Sequence, residues 1–172
     1  MSDTAHLEKP ETEKRGGKYL TFALGREEYG LEILKVREIF GYMDITAVPN
    51  TPPYVRGVIN LRGQVISVVD LRARFAMPAI ERTEETCIIV VEINSDGRRV
   101  SMGIVVDRVS EVLNILAANI EDAPDFGPNI DTSFILGMGK IGGNVKILLD
   151  IDRVLSPQEL SSVAVIGKAK SN

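Results

Sequence analysis

The clearest pattern in the chain is a pair of Val- and Ile-rich runs, Val55 to Leu61 and Val65 to Val69, on either side of Arg62-Gly63. β-branched runs across a Gly-containing tight turn predict a β-hairpin, because glycine supplies the positive φ that such a turn needs. Arg62 stands at its tip. From Asp70 the pattern changes: in DLRARF, Leu71 and Phe75 fall four apart, as on one helical turn.

This pattern occurs twice. Shifted by 80 positions, Gly57 falls on Gly137, Gly63 on Gly143, Val65 on Val145 and Asp70 on Asp150, without a gap. Upstream, at a shift of 73, Lys35-Val36-Arg37-Glu38-Ile39 meets Arg108-Val109-Ser110-Glu111-Val112. The shift changes because the second copy has a longer connection near Ala117 to Ser133. Two blocks repeating in one order read as a tandem duplication.

Each copy predicts short strands and no long helix. In the first, strands are expected at Lys18 to Leu24 and Glu28 to Ile33, then a brief helical turn into a third strand ending at Phe40. The prolines of Val48 to Pro53 make an irregular segment, and the central hairpin supplies two further strands. In the second, Thr86 to Ile93, Val100 to Val106 and Val109 to Leu116 read as strands, Asn119 to Ser133 as a loop, and Phe134 to Ile141 with Val145 to Asp150 as a hairpin. Ser156-Pro157-Gln158-Glu159 has the form of a helix start, with a cap, a proline at the first position and Glu three residues on.

The expected fold is all-β: two pseudo-repeated five-stranded SH3-like β-barrels with a short C-terminal helix. The first barrel is expected at about 18–77 and the second at about 86–155, with the helix at about 157–163. Residues 1–17 read as a disordered tail and 164–172 as a frayed end. A copy of about 60 residues is marginal alone, so the two are expected to pack as one domain over 18–163.

Composition narrows the function. The chain is 26% charged and 44% apolar, as in a globular protein. No apolar run approaches the ~20 residues of a membrane span, so no membrane insertion is expected. A net charge of −4 gives no footprint for nucleic acid. A polar N-terminus without a signal core, and a single cysteine, point to the cytoplasm.

Catalytic patterns are lacking. His6, the only histidine, sits in the expected tail, and Cys87 lies in an apolar strand pattern as a small buried hydrophobe. Asp70, Asp150 and Asp152 stand at strand ends before helical turns, where Asp acts as a cap. No enzyme, metal or cofactor is expected. Arg62 reads either as a solubilising turn residue or as a donor fork offered to a partner. Val36 and Ile39 around Glu38 read either as core positions or as a docking edge.

Several long stretches resemble the CheW-like family of chemotaxis coupling proteins. They are FALGREEYGLEILKVREI from Phe22, NTPPYVRGVINLRGQVISVVDLR from Asn50, GIVVDRVSEVL from Gly103, APDF from Ala123 and LGMGKIGGNVKILLDIDRVL from Leu136. The resemblance implies two packed SH3-like barrels and a cytoplasmic adaptor. Its implied partners are a methyl-accepting chemoreceptor signalling tip and the regulatory domain of the histidine kinase CheA, in membrane-anchored arrays. A related adaptor of a surface-motility or developmental array is one alternative, and a small ligand-binding barrel, which would need a convergent polar pocket, is the other. Carried over, the resemblance points to Val36, Glu38, Gly57 and Arg62, to the surrounding Ile39, Asn60, Leu61 and Gly63, and to Val112 in the second copy. Two positions depart from the family pattern: Ser67, where many relatives have proline, and Ala76, where glycine is usual.

Overall fold

The computed structural model describes residues 15–95, 97–156 and 158–159. The first copy forms β1 (Gly17–Leu24), β2 (Glu27–Glu32), a 3-10 turn at Ile33–Lys35, β3 (Val36–Gly41), β4 (Val55–Leu61), β5 (Gln64–Asp70) and the short helix α1 (Leu71–Arg74). The second forms β6 (Cys87–Ser95), β7 (Arg98–Val106), β8 (Arg108–Ile115), a 3-10 turn at Ala117–Asn119, β9 (Ile120–Glu121), β10 (Ile135–Ile141), β11 (Asn144–Leu149) and a 3-10 turn at Ile151–Arg153. Two of these, Ala117–Asn119 and β9, fall in or beside the stretch expected as loop. An all-β fold in two sheets with one short helix is what the strand pattern predicts.

Sheet membership does not follow the copies. One sheet has the order β8-β1-β2-β11-β10-β9 and the other β3-β6-β7-β5-β4. The β1–β2 hairpin of the first copy therefore sits among strands of the second, and β6–β7 sits among strands of the first. Four pairs make the joins: β1 with β8 and β3 with β6 are antiparallel, while Tyr29 to Leu31 on Ile147 to Leu149 and Ser67 to Asp70 on Met102 to Val105 are parallel. Each sheet thus combines strands from residues 18–77 with strands from residues 86–155. Exchanging the copies turns one sheet order into the other, so the duplication survives as pseudo-symmetry.

Both sheets roll. In the smaller one the chain leaves β3 and returns at Thr46, which bridges Val58 on the far edge by two bonds of 2.9 Å. The second copy does the same with β9, whose Glu121 opposes Met138. Gly57 makes the close approach possible, since a Cβ there would lie 2.0 Å from the Thr46 carbonyl oxygen. Its φ of 143° also suits glycine.

Rolling divides the core into three. Ile59, Leu61, Ile66, Val68, Ile88, Val90 and Val105 fill the smaller sheet, and Tyr19, Ile115, Ile120 and Leu148 fill the larger. Between the sheets lies the main cluster, including Leu20, Phe22, Leu31, Val69, Ile89, Val91, Ile104 and Leu149. Strand β6 sends Ile88 and Val90 one way and Ile89 and Val91 the other. Burial on both faces explains its unbroken apolar run.

The ends differ from expectation in part. Arg15, inside the expected tail, is only 11% exposed and binds Asp122 and the carbonyl of Leu136 at 2.8 and 3.1 Å. Residues 1–14 and 160–172, and with them most of the expected tails and helix, lie outside the described residues. At the expected helix start, Glu159 accepts from the Ser156 amide at 2.7 Å, and the Ser156 hydroxyl accepts from the Glu159 amide at 3.2 Å.

Candidate functional site

The β4–β5 turn holds Arg62 at φ 51° and Gly63 at φ 87°, a pair of left-handed residues matching a primed hairpin turn. The Asn60 side-chain oxygen accepts from the Gly63 amide at 2.9 Å and fixes the turn. Arginine is unfavourable in this conformation, and the second copy uses Gly142-Gly143 instead, at φ 56° and 84°. What Arg62 does there is reach across the roll. Its guanidinium pairs with Glu38 on β3, at the opposite edge of the same sheet. The Arg62 side chain stays 64% exposed.

A bulge aims Glu38 at this partner. Val36 opposes Val91 and Glu38 opposes Val90, leaving Arg37 as the extra residue. The same irregularity recurs on β8, where Thr21 opposes Glu111 and Phe22 opposes Val109. Glu111, the counterpart of Glu38, has no cation among the described residues, because the matching tip carries Gly142. The two sheets thus share a frame but differ in charge.

The expected contact residues separate by exposure. Glu38, Asn60, Arg62 and Gly63 come together around the tip, with Val36 and Ile39 on the same strand as Glu38. Ile39 is 42% exposed, and Val112, at the equivalent position of β8, is 50% exposed. Val112 belongs to the other sheet. Gly57 and Leu61 are buried, and their roles are the close approach and the core. The fully buried apolar residues between the sheets form the main core, with Val36, Val109 and Phe134 among the partly buried ones packed against it. Leu34, 93% exposed just before β3, escapes sequence reasoning because a lone leucine in a turn carries no period.

Other candidate groups have structural partners. Asp70 caps α1, accepting from the Arg72 amide at 2.9 Å, and Asp150 accepts from the Asp152 amide at 3.2 Å. Asp152 is not a cap: it pairs with Lys35 at 2.8 Å and accepts from the Asn94 amide at 3.1 Å. Cys87 is half-buried, its thiol 3.1 Å from the Glu85 carbonyl. Ser67 lies inside β5 between β4 and β7, opposite Val58 and Met102. Ala76 has φ 58°, a left-handed conformation that suits glycine better. Among the described residues no group of three or more His, Cys, Asp or Glu is placed to hold a metal ion. No helix among them is long and apolar enough to cross a membrane.

Two interlocked sheets with charged and apolar contacts on their edges define a scaffold of the protein-binding kind. The CheW-like domain model matches residues 18–159, and the chain belongs to that family of chemotaxis scaffolds. The chemotaxis protein CheW of Klebsiella aerogenes is 41% identical over 98% of this chain and 99% of its own. That of Bacillus subtilis is 38% identical over 91% of this chain and 97% of its own. The crystal structure of the scaffolding protein TtCheW from Thermoanaerobacter tengcongensis superposes with a TM-score of 0.73 at 35% identity, covering 84% of this chain and 97% of that one.

Proposed function

We propose that this scaffold couples chemoreceptor signalling tips to the regulatory domain of the histidine kinase CheA, in the cytoplasm beneath membrane-anchored receptors. The observation that carries the reading is the Arg62–Glu38 pair beside exposed Ile39, with a separate apolar position at Val112 on the other sheet. Two surfaces on one rigid body allow two partners at once, and holding both raises their effective concentration without high affinity at either. No bond is made or broken by the adaptor. Receptor state reaches the kinase because the receptor's states differ in the contacts made through it.

Arg62→Ala and Glu38→Lys test the reading directly. Arg62 is exposed and Glu38 is partly so, and each variant is expected to stay folded, Arg62→Ala within about 0.5 kcal/mol of the parent. Each is expected to lose retention of a CheA regulatory-domain fragment or of a receptor-tip fragment in pull-down, and to lose receptor-dependent kinase activation. Folded variants that retain both fragments at the parent level would show that the tip is only a turn.

A further inference from the structure

Where α1 ends against the larger sheet, a hollow of about 360 Å³ opens to the surface, lined by Tyr29, Phe75, Met77, Phe134, Ile135 and Ile147. None of the partner-contact residues named above belongs to it. Its wall continues a ladder of rings: Phe22, Tyr29, Phe75 and Phe134 follow one another at centroid distances of 5.8, 6.0 and 5.2 Å. The chain has five Phe and four Tyr, so this one place gathers nearly half of its aromatic rings. Met77 adds an adaptable side chain at the lip.

One cation, Arg74, lines the hollow, and its hydrogen bonding is incomplete. A terminal nitrogen meets Glu159 at 3.3 Å, longer than the ~2.9 Å of a well-formed charge-assisted bond. Its buried Nε–H has no acceptor among the described residues. A guanidinium left in that state favours an incoming carboxylate, because an unmet charged donor costs more than a neutral one.

We infer that the hollow binds a small apolar monocarboxylate, an aryl or branched-alkyl acid. The hydrocarbon lies on the ring ladder and the carboxylate takes Arg74, displacing Glu159. The volume is near the lower end of small-molecule sites, ~300 to 1,000 Å³, which suits one ring and a short chain.

The test is titration of the full-length, 15N-labelled protein with 4-phenylbutyrate and with 4-phenylbutan-1-ol, the same skeleton without charge. The acid is expected to give saturable shifts at the amides of residues 74–77 and 134–135. The alcohol is expected to bind about tenfold more weakly. Arg74→Gln should bring the acid down to the alcohol's affinity, and Ile147→Phe, which fills the hollow, should remove both responses. No saturable shift up to about 10 mM acid, equal binding of the alcohol, or unchanged shifts in Arg74→Gln would overturn the inference. The readout involves no receptor or kinase, so its outcome is separate from that of the adaptor role.

Discussion

Arg72 and Asp107 lie 35 positions apart and meet through two bonds of 2.8 and 2.7 Å, while Asp107 also accepts from the Gly25 amide at 2.7 Å. Burial alone would raise the Asp107 pKa, but the Arg72 and Gly25 donors together hold it below the usual carboxylate range. A lowered folded pKa adds stability above the unfolded value of ~3.9, and that stability is lost as pH falls through the folded pKa. Asp107→Asn is therefore expected to cost about 2 kcal/mol in urea unfolding at pH 7, with the difference from the parent shrinking near pH 3. Glu32 has the opposite sign. Burial pushes its pKa up, Lys35 lowers it, and Asp150 and Asp152 add to the rise. The folded state then holds the Glu32 proton more tightly, so stability falls as pH rises through the raised pKa. Glu32→Gln should raise the melting temperature at pH 7 and give no gain below about pH 4.

Among elements, β4 shows how a glycine can be needed for the fold while reading as a contact residue. Gly57→Ala would drive a Cβ into the Thr46 carbonyl at a φ that L-residues avoid. The expected outcome is a loss of about 3 kcal/mol or more in urea unfolding. A variant of parental stability that fails only in partner pull-down would instead return Gly57 to the binding surface. The strands themselves were legible because alternation, β-branching and Gly turns are local, and because the repeat let each copy check the other. β9 was not, since Ile120–Glu121 is too short to show a period. The Glu38–Arg62 pair was half legible: the repeat singled out Arg62 as the residue replacing a glycine, but its partner lies 24 positions away across a rolled sheet. The ring-lined hollow was invisible, because Tyr29, Phe75 and Phe134 come from three distant segments with no shared pattern.

For the whole molecule, the pairing of strands carries the information that local pattern lacks. A contiguous reading places each barrel in one half of the chain, whereas β2 with β11 and β5 with β7 pair in parallel across the halves. A parallel pair leaves no turn between its members to announce it. Fragments 15–79 and 80–159 are each expected to lack cooperative melting alone. Mixed, they are expected to recover the parent's β-sheet circular dichroism and a single transition. Independent folding of either fragment would refute the interdependence of the sheets.

Because each hairpin is clasped by the opposite half, a pull applied between β3 and β8 has no slack tether to stretch. Since β2 runs on into β3, it would travel through the backbone ladders that join β2 to β1 and β1 to β8. Under tension the molecule is a stiff link, with the strength of a woven joint rather than that of two beads on a string.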